Sequence, residues 1–303
     1  MIKVSVILTT YNSESQLQEV LDSITTQQGI GEFFELELIV IDDCSTDNTT
    51  NILKLNNIPY FKTDHNSGGP NKGRNIGLTK SSGDFICIAD HDDIWFNNKI
   101  SILLSASHLA PIISSGYELS DSTSSRLVRA SSLDSGKKFK QYPKNKTFIT
   151  KLTKSKFGQQ TYLGSILFSS NFKHILFEEE YGMSDFDWVL RIFYNQKSVE
   201  YCGPLYLRKV KSDNLSLDEK YRINDYIYSL KSISLYKNNF SRFVAISRKR
   251  INGSMGRYYY LIGNMKLARK YFFKSTFEIK TILYIITTFV GSNLVKKYFR
   301  IFG

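Results

Sequence analysis

The sequence predicts an α/β protein: a mostly parallel central sheet of βαβ units with helices on both faces, followed by a helical C-terminal region. Two observations carry this. Strand-like and helix-like stretches alternate four times before residue 100, and each apolar run stops in a polar turn, the pattern of parallel strands joined by crossover helices.

Val4-Ser5-Val6-Ile7-Leu8-Thr9-Thr10 is the first buried-strand run and ends at Tyr11-Asn12. Ser13-Glu14-Ser15-Gln16 has the form of a capping box, and Leu17, Val20, Leu21 and Ile24 then recur at helical spacing. Leu36 to Ile41 forms the second strand, ending in Asp42-Asp43-Cys44-Ser45; a short helical stretch leads to Ile58-Pro59-Tyr60-Phe61. A Gly-rich turn, Asn66 to Asn71, precedes the helical Gly73-Arg74-Asn75-Ile76-Gly77-Leu78. After Gly83, the run Phe85-Ile86-Cys87-Ile88-Ala89 delivers Asp90, Asp92 and Asp93 at its end.

That strand end is the most informative stretch. Ligands of open α/β sheets bind at the carboxyl ends of the strands. Carboxylates spaced Asp-x-Asp repel one another unless a cation or a ring of donors lies between them, and oxygen-only ligands suit Mg²⁺ or Mn²⁺ held partly by a phosphate. The alternative is structural: Asp92 or Asp93 caps a helix starting near Asn97.

The 303 residues, 42% hydrophobic, are ample for one large domain with an appendage. Cys44, Cys87 and Cys202 are an odd count in or beside strands, which favours reduced thiols over disulfides. The strand entered by Val4 leaves no room for a signal peptide, so a cytoplasmic location is expected. Ser120 to Asn145, rich in Ser and Lys, reads as a loop or solvated linker. None of His65, His91, His108 and His174 joins a ligand cluster, which argues against a zinc enzyme.

Charge is unevenly placed. Residues 237–303 hold 14 Lys and Arg against one acid, Glu278, leaving 26 basic and 27 acidic residues in 1–236; the chain's +12 is therefore a property of its tail. A basic tail fits nucleic acid, but here bases alternate with aromatics and aliphatics, as in Tyr258 to Ile262 and Tyr271-Phe272-Phe273. Thr281 to Val295 carries no charge and is shorter than the roughly 20 apolar residues of a membrane span. An interfacial helix on an anionic membrane surface fits these features; a helical bundle with solvated bases is the competing reading.

Four segments together resemble the family 2 glycosyltransferases: Val-Ile-Leu-Thr-Thr-Tyr-Asn at 6–12, Ile-Val-Ile-Asp-Asp-Cys-Ser at 39–45, Gly-Gly-Pro-Asn-Lys-Gly-Arg-Asn-Ile-Gly at 68–77 and Ala-Asp-His-Asp-Asp-Ile-Trp at 89–95. The resemblance covers about residues 1–216 and implies a GT-A fold, with a nucleotide-binding half (1–95), an acceptor-binding half (96–216) and a helical, basic region (217–303) beyond it. The Asp-x-Asp-Asp-x-Trp form is similar to enzymes of bacterial surface polysaccharides, capsule and O-antigen among them.

The resemblance also implies roles. Thr9, Tyr11 and Asn12 meet the nucleotide base and ribose; Asp43 accepts a base N–H, or else caps the helix near Thr46; Arg74 faces the base edge or a phosphate; Asp90 contacts ribose. Asp92 is the metal ligand, bridging the donor diphosphate through Mn²⁺ or Mg²⁺. Tyr181 to Ile192 resembles the family's Glu-Asp-x-Asp-Leu-Trp-Leu-Arg-Leu segment, with Ser184 replacing the Glu and Asp185 as catalytic base; Asp187 is the rival. Tyr206 to Ser216 resembles the loop written Arg-x-His-x-x-Asn-x-Ser, with Lys211 in the His position. An ammonium cannot ligate a cation but neutralises a diphosphate directly.

The implied reaction is inverting, metal-dependent transfer from a UDP- or dTDP-sugar to a glycan hydroxyl, on a lipid carrier. A non-catalytic nucleotide-sugar or glycan-binding module on the same fold is the alternative, since Ser184 and Lys211 depart from pattern. A dinucleotide-binding oxidoreductase is a poor reading, since residues 10–16 contain no glycine.

Overall fold

The computed structural model describes residues 1–120, 126–130, 136–155, 158–181, 185–209 and 218–289. The chain divides into two compact units: Met1–Thr150 with Phe157–Asn214, and Lys151–Lys156 with Leu215–Gly303.

The first unit is built on one sheet. Strands β1 (Ile2–Thr10), β2 (Phe34–Asp42), β3 (Tyr60–Lys62) and β4 (Phe85–Ala89) lie parallel in the order β3-β2-β1-β4, with Ile7 opposite Ile39 on one side and Ile88 on the other. Each of the first three leads to the next strand of the sequence through a helix, α1 (Leu17–Thr25), α2 (Thr49–Leu55) or α3 (Asn71–Lys80), the last crossing over from β3 at one edge to β4 beside β1. The sheet continues through β5 (Asp93–Trp95), β6 (Ile112–Ser120), β7 (Arg126–Arg129), β8 (Phe139–Tyr142), β9 (Ile166–Ser169) and β10 (Ser198–Lys209). β10 pairs parallel with β6, whereas β9 runs antiparallel between β4 and β6, and β5, β7 and β8 also pair antiparallel. The parallel pairing expected of βαβ units thus fills the first half, and the full sheet is mixed.

The pleat of β1 explains why both faces carry helices. Val4, Val6 and Leu8 point into a core with Leu17, Val20, Leu21 and Ile24 of α1 and with Ile100 and Leu103 of α4 (Lys99–Ser105). Ile7 and Thr9 point the other way, against α3. There a side chain at Gly77 would start 2.3 Å from Ile7 Cγ2, and one at Gly73 2.9 Å from Thr9 Cγ2, so these glycines let α3 lie flush on the sheet.

Three local expectations are corrected. The capping box does not form: Gln16 takes the N-cap position of α1 without a side-chain bond, and the Ser13 hydroxyl donates to the Tyr11 carbonyl instead. The described parts of Ser120 to Asn145 are not loop but contain β7 and β8, short strands pairing with β6 and β10; their exposed Lys and Arg gave them a loop-like composition. Neither Asp92 nor Asp93 caps α4, whose N-cap is Asn98; Asp93 instead opens β5.

The second unit is helical, with α7 (Glu219–Ser234), α8 (Lys237–Leu261), α9 (Met265–Phe272) and α10 (Ile279–Thr287) following the earlier α5 (Lys146–Leu152) and α6 (Phe186–Phe193). Its core is aromatic: Tyr259 stacks on Tyr271 with ring centroids 5.5 Å apart, and Phe272 on Tyr284 at 5.1 Å. Among the described residues no helix is long and apolar enough to cross a membrane.

Candidate active site

Parallel pairing of β1, β2 and β4 brings their carboxyl ends together, and with them Thr9, Tyr11, Asp43 and Asp90. Tyr11 is half exposed. Asn12 sits in the left-handed region (φ 46°) that Asn tolerates. Its amide oxygen accepts from the Thr46 backbone N–H at 2.9 Å, so its side chain shapes the turn after β2.

Asp43 is buried and does not cap α2, whose N-cap is Asn48. Its carboxylate accepts from the Thr63 hydroxyl at 2.7 Å, from the Ser67 backbone N–H at 3.0 Å and from the Ser67 hydroxyl at 2.9 Å. The Ser67 hydroxyl also lies 2.7 Å from the Gly69 carbonyl. One hydroxyl proton cannot serve both acceptors fully, so turning it to Gly69 opens a lone pair on Asp43 to an incoming N–H.

Arg74 is held on α3 by the flush packing just described. One terminal nitrogen donates to Asp90 Oδ1 at 2.8 Å and the other to Asn71 Oδ1 at 3.1 Å; Nε is buried with no hydrogen-bond partner. The guanidinium carbon lies 5.4 Å from the centre of the Phe177 ring. Burial works to raise the Asp90 carboxyl, but the Arg74 charge and hydrogen bond outweigh it and hold the group below its ordinary range. Asp92 is pushed up by burial and by the charge of Asp90. Asp93 is pushed well above the usual carboxylate range by burial and by both neighbours, and its Oδ1 is buried without a hydrogen-bond partner. A divalent cation relieves such mutual repulsion. The oxygen donors of this strand end are of the kind that suits Mg²⁺ or Mn²⁺, and Asp92 is more open than Asp93. Among the described residues no group of three or more His, Cys, Asp or Glu could hold a metal unaided, so phosphate oxygens and water would complete the shell.

Two cations beside these carboxylates escaped sequence analysis. Lys99 is wholly buried: its ammonium donates to the Gly164 carbonyl and sits 3.4 Å from the Trp95 ring centre and 4.9 Å from that of Tyr206. Burial pushes it down to about 7, against the pull of Cys87, Asp93 and Asp90. Arg208 lies opposite Asp93 in the β10–β5 ladder, its guanidinium 4.5 Å from the Tyr162 ring centre. The alternation of Tyr206 and Arg208 along one strand was the signal for the second; nothing local marks a buried lysine in the first turn of a helix. A Cβ at Gly164 would meet Asp93 Oδ2 at 2.6 Å, so any side chain there would displace that carboxylate.

Asp185 takes the N-cap position of α6 but makes no side-chain capping bond. Asp187 is buried and pairs with Arg191 Nε at 2.6 Å, one turn on. The segment before α6 is strapped to α3: Asn75 exchanges hydrogen bonds with the Phe177 backbone at 2.9 and 2.7 Å, and Asn71 donates to the Glu178 carbonyl. Phe177 in turn stacks on Trp188 of α6 at 4.7 Å. Through this strap α3 carries Arg74 and anchors the base of α6 at once. Ser184 and Lys211 lie outside the described residues.

The glycosyl transferase family 2 model matches residues 5–157, half of the chain, which therefore belongs to that family. Among curated relatives, the poly(ribitol-phosphate) beta-N-acetylglucosaminyltransferase TarS of Staphylococcus aureus (strain Mu50) is 43% identical over 98 residues, 31% of this chain and 17% of that protein. A GalNAc(5)-diNAcBac-PP-undecaprenol beta-1,3-glucosyltransferase of Campylobacter jejuni is 35% identical over 107 residues, 34% of this chain and 33% of that one. The matches thus span a third or less of either relative. The crystal structure of S. aureus TarS 1–349 superposes with a TM-score of 0.64 over 99% of this chain and 93% of that one, at 18% identity, and supports the fold. Its complex with UDP-GlcNAc gives a TM-score of 0.61 at 17% identity.

Proposed function

We propose that the protein is an inverting glycosyltransferase that moves a sugar from a UDP- or dTDP-sugar to a glycan hydroxyl during synthesis of a cell-surface polymer, on a lipid-linked acceptor. The observation that carries this reading is the carboxylate strand end, with Asp90 neutralised by Arg74 and Asp92 and Asp93 left in mutual repulsion. The relatives' names, acting on poly(ribitol-phosphate) and on an undecaprenol-linked glycan, support the acceptor class.

Thr9 and Tyr11 receive the base, Tyr11 by stacking, while Asp43 accepts the N3–H of uracil or thymine once the Ser67 hydroxyl turns to Gly69. Asp90 holds the ribose and Arg74 fixes Asp90. Asp185 takes the proton of the acceptor hydroxyl as its oxygen attacks the anomeric carbon from the face opposite the leaving diphosphate. A divalent cation on Asp92, when bound, would offset the negative charge that the diphosphate gains; Lys211 adds a positive charge of this chain's own. General-base help is worth about 10²–10⁴-fold in rate.

Asp185→Asn keeps shape and removes the base, so transfer should fall by about 10²-fold or more while donor binding survives. Should Asp187→Asn abolish transfer and Asp185→Asn spare it, the base is misassigned. Donor hydrolysis without acceptor separates an enzyme from a binding module: a protein that binds UDP-sugar and never hydrolyses or transfers it would reject the catalytic reading.

A further inference from the structure

We infer that the outer face of α10, with the basic face of α9, is a docking surface for an anionic lipid bilayer. Helix α10 is apolar on both sides. Tyr284 and Thr288 are buried, and Ile285 packs on the aromatic core. The other side shows Ile279 (81% exposed), Ile282 (44%), Leu283 (43%) and Ile286 (56%), then Phe289 (72%) just past the helix end. At about 100° per residue, positions i, i+3, i+4 and i+7 form one continuous stripe. No described residue covers it, and Phe273 and Phe277 add two further exposed rings in the turn before it. Contiguous apolar surface of this kind marks an interaction site, whereas scattered exposed residues do not.

The charge on α9, in the turn after it and at the start of α10 selects the occupant. Lys266, Lys270 and Lys274 recur every four residues and are exposed, and exposed Lys280 flanks the stripe one residue beyond Ile279. Arg269 closes the far end: its guanidinium carbon lies 4.6 Å from the Phe289 ring centre and it donates to the Thr288 carbonyl at 2.9 Å. From 237 to 303 the sequence offers one acid, Glu278. A second copy of this chain would bring the same positive charge against itself. Anionic head groups meet the bases while the stripe enters the acyl boundary, the arrangement of an interfacial helix. The inference stands apart from the proposed chemistry, since no residue of the carboxylate site takes part.

Co-sedimentation of the full chain with vesicles of phosphatidylglycerol and phosphatidylcholine, against phosphatidylcholine alone, tests it. The protein should pellet with the anionic vesicles at low salt and be released at high salt. Ile282→Glu with Ile286→Glu should lower partition by roughly 100-fold, from the apolar transfer lost, with an unchanged melting temperature. Lys266→Gln with Lys270→Gln should lower it about fivefold per base, the equivalent of about 1 kcal/mol each. A chain that stays in the supernatant at low salt overturns the inference, as does undiminished vesicle binding by the double glutamate variant. A non-binding chain whose mass by light scattering halves in that variant would assign the stripe to self-association instead.

Discussion

Replacing Arg74 by Met tests whether the carboxylate site depends on one counter-charge. Methionine keeps an aliphatic stem against Phe177 and removes the guanidinium, leaving Asp90 with Asp92 and Asp93 and without its 2.8 Å ion pair. Removing one partner of a buried pair costs about 3–5 kcal/mol. Asp90 keeps a third of its side-chain exposure, so water screens part of the loss and the lower figure, about 3 kcal/mol, applies. At about 2–4 °C per kcal/mol for a unit of this size, the melting temperature should drop by roughly 6–12 °C at pH 7. The pH dependence has a definite sign. In the native protein Asp90 is held low, so its contribution is present above the carboxyl's unfolded value and lost on acidification through the folded one. Without Arg74, burial is opposed only by the weaker pull of Arg208 and His91, so Asp90 rises, and the variant should recover relative stability as the pH falls from 7. Arg74→Met with Asp90→Asn removes both charges and should melt above Arg74→Met alone. Scanning fluorimetry across pH measures all three. A single variant that melts within about 1 °C of the native protein, or a deficit that widens on acidification, would refute the reasoning.

Three further outcomes are expected. UDP or dTDP with Mn²⁺ should raise the melting temperature more than GDP does; equal stabilisation by GDP would reject pyrimidine recognition by Thr9, Tyr11 and Asp43. Lys211→Ala should weaken donor binding with and without Mn²⁺, and unchanged affinity and turnover in titration calorimetry and transfer assays would remove Lys211 from the diphosphate. Gly77→Ala gains about 1 kcal/mol of helix propensity but sets a Cβ 2.3 Å from Ile7 Cγ2; overpacking of this kind costs about 1–3 kcal/mol, so denaturant unfolding should show no gain and donor affinity should fall as Arg74 shifts.

Much of this was legible before the structure. The runs at Val4–Thr10, Leu36–Ile41 and Phe85–Ala89 became β1, β2 and β4 because strands buried on both faces need continuous apolar residues. Their polar ends mark the site for the same reason. What remained hidden depends on distant partners. β7 and β8 are short and basic, and pair only because β6 and β10 lie beside them. Lys99 looks like an ordinary surface lysine until Trp95, Tyr206 and Gly164 close over it. The strap on α3 joins residues 102 positions apart, beyond any local pattern.

That strap has a consequence for how the chain is made. Residues 1–95 look like a free-standing half, yet Asn71, Arg74 and Asn75 face partners at Phe177 and Glu178. Until those arrive, α3 presents the amides of Asn71 and Asn75 with no backbone to meet them, and the Arg74 guanidinium, already paired with Asp90, lacks its ring. A ribosome adding about 5–20 residues per second reaches the strap roughly 4–16 s after finishing residue 95. Through that interval the face of α3 that Phe177 and Glu178 will cover is an unfinished surface. The order of synthesis thus makes the segment around Phe177 the last piece to settle on a sheet whose first strands were finished long before.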